Sequence, residues 1–440
     1  MRTPAERIAH GKSVRDHISR AAHSELKPAE RNFNPLHILS ASAVDRVPRL
    51  LPVKYFRMSA GPFAFFRGAV SIMAADLARL PHSGLHVQLC GDAHVQNLGS
   101  FATPDGRLVF DYNDFDETIE GPWEWDVKRM AASIVLAGRA AGQRSAPCGS
   151  AAEAFVQSYC RTMNQFSREP ILQVARHQIH RQKSVAPIHA ALLQSQRATT
   201  AGLVKKFTAV NSRAQRRFRK VEDIFWPVRG LRARQVLAAL ELYRKTLAPE
   251  RLRLFEFFRP VDVGFKIVGT GSVGLRDYVV LLEGSAPGDF LFLQIKQEVA
   301  SAYAQYLPKW VCEHEGRRVV EGQRSIQPNS DPLLGWTSIE GHQFLVRQLN
   351  DHKGSIDLEQ LQGEGLKQLA LVAGELMARG HARSGDVLEI AGYCGSGDRI
   401  ARAIREFGEA YAGQTEADHK LFMAAIKAGK IKIAKPAAAS

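Results

Sequence analysis

No apolar run in this 440-residue chain approaches the ~20 residues that a membrane-spanning helix needs, so no transmembrane protein is expected. Residues 1–12 lack the apolar stretch of a secretory signal. Cysteine is scarce and scattered: Cys90, Cys148, Cys160, Cys312 and Cys394 show no C-x-x-C spacing. That excludes a disulfide framework and a thiolate zinc site, and predicts reduced thiols in a cytoplasmic protein. The absence of a G-x-S-x-G elbow disfavours a Ser/His/Asp hydrolase. No nucleic-acid module with interleaved aromatics is recognisable.

Negative charge is in short supply: 44 acidic residues face 59 basic ones, a net charge of +15. Such a balance suits nucleic acid, phosphate-bearing ligands or an anionic surface. The excess is densest at 205–220, with Lys205, Lys206, Arg213, Arg216, Arg217, Arg219 and Lys220. A solvated helical face accounts for it, so nucleic acid is a permitted partner but not the favoured one. The hydrophobic share of 45% and charged share of 23% are those of a globular protein, long enough for one two-lobed unit or two domains.

Residues 1–60 read as an irregular or helical arm. Apolar spacing predicts helices over 63–80 and 123–142, the second opened by Pro122 and ended at Gly142. Short strands are expected at 86–90 and 107–112, with more helix to about residue 245, interrupted near Pro187 and Pro227. Beyond Pro260, β-branched and aromatic runs separated by glycine predict strands at 262–268, 278–283, 290–296, 333–339 and 343–349. One helix falls between the third and fourth of these, ending near Gln327. Helix returns after 351, chiefly at 358–380, and the Lys/Ala-rich end at 427–440 reads as a frayed tail.

Two constellations carry chemistry. In the first, Asp92, His94, Asn97, Asp111, Asn113, Asp114 and Asp116 crowd two adjacent strand-loop units. Carboxylates so close repel one another unless a cation or proton intervenes, and Asp and Asn oxygens are what magnesium prefers. The second is the glycine run Gly269, Gly271, Gly274, with Ser272 inside it, between two strands. A dinucleotide fingerprint needs a helix after the glycines, and 276–283 reads as strand. Lys296 then ends an apolar strand and calls for an anionic partner. This strand and lysine resemble those of kinases, whose lysine pairs with a glutamate on the following helix; the resemblance makes Glu321 the first choice, with Glu298 and Glu315 as alternatives.

The string Gly91-Asp92-Ala93-His94-Val95-Gln96-Asn97 resembles the H-G-D-x-H-x-x-N catalytic loop of aminoglycoside phosphotransferases and choline kinases. The resemblance implies a substrate-orienting or base role for Asp92 and magnesium ligation by Asn97. Val109-Phe110-Asp111 is similar to the metal-binding D-F-G strand of protein kinases, with Asp114 a competitor of Asp111. Asp126 resembles the aspartate that braces the catalytic loop, and Cys90 stands where that family usually has histidine. The 269–274 run and Lys296 resemble the glycine loop and V-A-I-K lysine that hold ATP phosphates, with 349–351 as the adenine-contacting hinge. The motif order is inverted, as a circular permutation would produce. Over nearly its full length the chain also resembles a bacterial family, domain of unknown function 2252. The strings FAFFRGA at 63–69, NDFDET at 113–118, GPWEWD at 121–126 and HARSGD at 381–386 carry this.

The reading is therefore an α+β, protein-kinase-like two-lobed fold, circularly permuted. It divides into an arm (1–60), a helical lobe with catalytic and metal loops (61–258), a β-rich nucleotide lobe (259–351) and C-terminal helices (352–440) that complete the helical lobe. The expected function is ATP- and Mg2+-dependent phosphotransfer to a hydroxyl on a small molecule or protein, with no membrane partner. Transfer of AMP, or non-catalytic nucleotide sensing or nucleic-acid binding, are the alternatives.

Overall fold

A computed structural model describes residues 2–177, 185–267, 269–307, 311–349 and 353–434. Apolar residues at helical spacing build the larger body. The helices Trp123–Ala140, Ser145–Phe166, Gly365–Ala382 and Asp398–Lys427 pack together around one core that includes Met130, Phe155, Leu376 and Phe407. Among the described residues no helix is long and apolar enough to cross a membrane. All five cysteines are free.

Between the helices β1 (His86–Leu89), β2 (Leu98–Ala102), β3 (Leu108–Tyr112) and β4 (Ile119–Pro122) alternate with loops. β1 pairs with β4, and β2 with β3, both antiparallel. Further along come β5 (Thr208–Val210), β6 (Arg216–Phe218), β7 (Phe225–Pro227), β8 (Arg259–Lys266), β9 (Asp277–Glu283), β10 (Phe290–Glu298), β11 (Gly335–Ile339) and β12 (His342–Gln348). The last six form one sheet in the order β11-β12-β10-β9-β8-β7, and the helix Glu315–Ile326 stands between β10 and β11 in the chain. β13 (Gly354–Ser355) returns the chain to β2. The architecture is mixed α+β, with several antiparallel sheets.

The structure corrects several expectations. The 63–80 helix is two, Pro62–Gly68 and Val70–Leu77, broken at Ala69. Gly68 lies so close to Met58 that a Cβ would stand 2.5 Å from its side chain. The basic 205–220 segment is the end of the helix Thr200–Phe207 followed by the β5–β6 hairpin, not a helical face. Its chain reverses at Asn211, whose side chain accepts from the Arg213 and Gln215 amides, and Ala214 has φ +57°. The 358–380 helix begins only at Gly365, after a 3-10 turn at Leu358–Leu361. The last helix ends at Lys427, where the tail was expected to begin; the described part of that tail is tied down where Ala434 N donates to Pro52 O at 2.9 Å, and 435–440 lie outside the described residues.

Nor is the N-terminal stretch an arm. Helix Pro4–His17 packs against Val387–Cys394 so tightly that a Cβ on Gly11 would stand 1.9 Å from Glu389 O. Arg31 donates to both oxygens of Asp76 (2.9 and 2.6 Å) and of Asp418 (2.7 and 2.9 Å), and Tyr411 Oη donates to Asp76 at 2.8 Å. This buried network ties the N-terminal stretch to two helices. Removing one member strands the others out of water, so Arg31→Met is expected to cost about 3–5 kcal/mol of stability, read by denaturant unfolding.

Candidate functional site

Local structure brings the first constellation together from both sides of β2 and β3. Gly91 has φ +85°, and a Cβ there would stand 2.1 Å from Glu117 O, so only glycine turns the chain out of β1. Asp126, in the first turn of the Trp123–Ala140 helix, braces this turn: its carboxylate accepts from Cys90 N (2.6 Å) and Gly91 N (2.9 Å). His381 Nε2 lies 3.3 Å from the same carboxylate. Asn97 spends its amide on the main chain, donating to Asp92 O (3.0 Å) and Asp114 O (2.8 Å) and accepting from Asp114 N (2.8 Å). It therefore locks the Asp92 loop to the Asp114 loop.

Asp92 lines a cleft of about 450 Å³ shared with His94, Asn97, Asp114, Asp116 and Glu298, a size suited to a small ligand. Arg129, fully buried and stacked on Phe66 at 4.2 Å, donates Nε to Asp92 Oδ1 at 2.7 Å. The other oxygen is 3.8 Å from His94 Nε2. Burial pushes His94 down to about 4, with Arg67 and Arg129 opposing the pull of Asp92, so the imidazole is neutral near pH 7.

The second constellation meets the first in this cleft. Gly269, Gly271 and Ser272 line it; Ser272 Oγ donates to Asp116 Oδ2 at 2.9 Å. Gly274 closes the turn with φ +99°. Lys296 Nζ lies 2.5 Å from Asp116 Oδ1 and 3.4 Å from Asp114 Oδ1. Burial opposes charge on all three. For Asp116 the neighbouring ammonium outweighs it and holds the carboxyl below its usual range. Asp114 is pushed up by burial and by Asp116, and Lys296 is raised by the two carboxylates. Glu298, two residues along β10 from Lys296, is pushed well up by burial and by Asp116, and its Oε1 is buried without a partner among the described residues.

Two expected site residues lie elsewhere. Glu321 does not reach Lys296; it is exposed and pairs with Arg317 at 2.8 Å, one helical turn away. The helix reaches the site with a cation instead: Arg318 donates to Thr118 O (2.6 Å), Asp116 O (2.8 Å) and Val299 O (2.9 Å), joining the acidic loop to the end of β10. Asp111 is turned out of the cleft into a buried pair with Arg379 (2.5 Å), and accepts from Tyr112 N at 2.9 Å. Asp114, beyond the end of β3, faces the cleft in its place. Of the expected hinge, Asn350 and Asp351 lie outside the described residues.

Sequence reasoning missed the clamp on the glycine loop. Arg57 donates to Gly269 O, Lys54 to Gly271 O (3.1 Å), Arg46 to Val273 O (2.6 Å) and Val47 N to Gly274 O (2.7 Å). Lys54 is fully buried and donates to Gly68 O and Gly271 O; burial, with Arg46 adding to it, pushes its amine well below the usual range. A second cavity of about 280 Å³ lies beyond Asn113, with Asp331, Arg347, Gln348 and Lys353 in its wall. Burial, with Arg347 adding to it, lowers Lys353 to about 7.

Among the described residues no group of three or more His, Cys, Asp or Glu could hold a metal alone. Asp114 and Asp116 share one lysine between two carboxylates. Such a pair fits magnesium bound through one or two carboxylates with phosphate oxygens and water completing the shell.

The family model described as "Uncharacterized protein conserved in bacteria (DUF2252)" matches residues 46–425, and the chain belongs to that family. No curated protein and no solved structure matches it. The clamp makes a local forecast: in Arg46→Ala/Arg57→Ala, hydrogen exchange of the 269–275 amides accelerates about tenfold or more, while β9 and β10 stay protected.

Proposed function

We propose that this DUF2252-family protein is an ATP- and magnesium-dependent phosphotransferase of kinase-like architecture with permuted motif order. One observation carries the reading: Lys296 and the Ser272 loop contact Asp116 in the same cleft that Asp92 lines. Two motif sets separated by more than a hundred residues thus converge on one acidic, cation-braced site. The strand–glycine loop–strand unit, the lysine on the next strand, one helix and two further antiparallel strands support a nucleotide lobe at 259–351. Residues 61–258 and 352–440 then make up the helical lobe.

In this reading the triphosphate lies against the 269–274 loop and Lys296, with its nucleoside end toward the second cavity. Asp92 orients an acceptor hydroxyl and takes its proton; the acceptor oxygen bonds to the γ-phosphorus as the bond from that phosphorus to the bridging β–γ oxygen breaks, and ADP leaves. Arg129 keeps Asp92 in one rotamer, and Asn97 sets its distance from Asp114. Asp114 and Asp116 would hold magnesium, which would supply charge neutralisation on the phosphate oxygens. Catalysis is positioning and electrostatics.

Calorimetry with ATP, with and without magnesium, tests the site: magnesium-dependent binding is expected in wild type and at least about tenfold weaker in Lys296→Ala. No binding by wild type would end the kinase-like reading. Asp92→Asn is expected to keep ATP affinity and to lose about 10²–10⁴-fold in turnover once an acceptor is found. A product heavier by about 80 Da is a phosphorylated acceptor, whereas about 329 Da would mean AMP transfer.

A further inference from the structure

We infer that Arg67 is a ligand of the transferred phosphate, delivered to the cleft from the short Pro62–Gly68 helix. The inference rests on the phosphotransferase reading and adds a residue that the glycine-loop and lysine motifs do not contain. Four well-buried arginines each meet a carboxylate: Arg31 with Asp76 and Asp418, Arg129 with Asp92, Arg318 with Glu315, and Arg379 with Asp111. Arg67 differs from all of them. Its Nε is buried with no hydrogen-bond partner, and its guanidinium has no ion pair among the described residues. The Phe63 ring, 6.0 Å away, is its aromatic neighbour. The residue is half-buried, so a guanidinium whose Nε is closed off from water and unpaired stands at the cleft wall ready for an anion.

Its position says which anion. The main chain of Arg67 runs along the glycine loop, its carbonyl oxygen 3.3 Å from where a Cβ on Gly271 would stand. Its side chain lines the cleft together with Asp92 and Asp114, the two carboxylates whose fields act on it. The group flanked by the proton acceptor, the metal-side carboxylate and the glycine loop is the terminal phosphate. The neighbouring cations are committed elsewhere: Lys54 donates to Gly68 O and Gly271 O, and Arg46 to Ser42 O and Val273 O. Arg67 offers a planar fork matched to two phosphate oxygens, and its attraction grows as charge spreads over the group in flight.

The test compares ATP with ADP, each with magnesium, by calorimetry on wild type, Arg67→Gln and Arg67→Lys, with thermal unfolding of each. Wild type is expected to prefer ATP. Arg67→Gln should lose about tenfold or more of its ATP affinity with ADP affinity unchanged. Arg67→Lys, which keeps the charge without the fork, should retain part of the preference. Equal losses for both nucleotides, or an unchanged ratio, would overturn the assignment. If Arg67→Gln does not fold, wild type and Arg67→Lys decide: no ATP preference in wild type, or a full one in the lysine variant, overturns it. Wild type that binds neither nucleotide removes the phosphotransferase reading and this inference with it.

Discussion

A lysine ammonium drawn out of water must find its counter-charge, and the arrangement of this protein turns on where Lys296 finds it. The lysine belongs to β10, in the middle of the six-stranded sheet; Asp116 and Asp114 belong to a loop of the helical body. The pair is therefore a joint between two parts of the molecule, made of groups that cannot part without leaving charge in a poor solvent. Ser272 and Arg318 reinforce the same joint from the glycine loop and from the helix behind it. One electrostatic requirement thus joins the two sides of the cleft.

The surrounding carboxylates follow the same logic with different partners. Asp92 has Arg129, Asp111 has Arg379, Asp126 has two backbone amides and His381, and Asp76 has Arg31. Each is satisfied from a distant part of the chain, so each also fixes an element. Asp92 is held by one oxygen, while the other stands 3.8 Å from His94 Nε2 at the cleft wall.

Much of this was legible in the residues. All five expected strands between 262 and 349 lie within three residues of the observed ones, because alternation and glycine punctuation are local signals. The cluster around Asp92 and Asp114 was legible from composition and spacing. The partner of Lys296 was not: a carboxylate 180 positions earlier won over one on the next helix, and no local pattern records such a contact. Asp111 and Asp114 differ by three positions, so choosing between them required the end of β3 and the place of Arg379. The clamp by Arg46, Lys54 and Arg57 left no trace either, since side chains that bond to carbonyls impose no periodicity. The 208–227 region looked helical by continuation, yet the reversal at Asn211 and the Phe207–Phe218–Phe225 cluster made it a hairpin and a sheet edge.

The pairing of Asp111 with Arg379 and of Asp126 with His381 has a consequence for biosynthesis. Both acidic loops leave the ribosome early, while their braces, with Asp418 for Arg31, are made in the last quarter of the sequence. A nascent chain paused before that point holds Asp111 without Arg379 and Asp126 without His381, while Arg129 and the Asp126 carboxylate already brace the loop that carries Asp92. Translation must therefore run nearly to its end before every buried charge around the cleft has its partner.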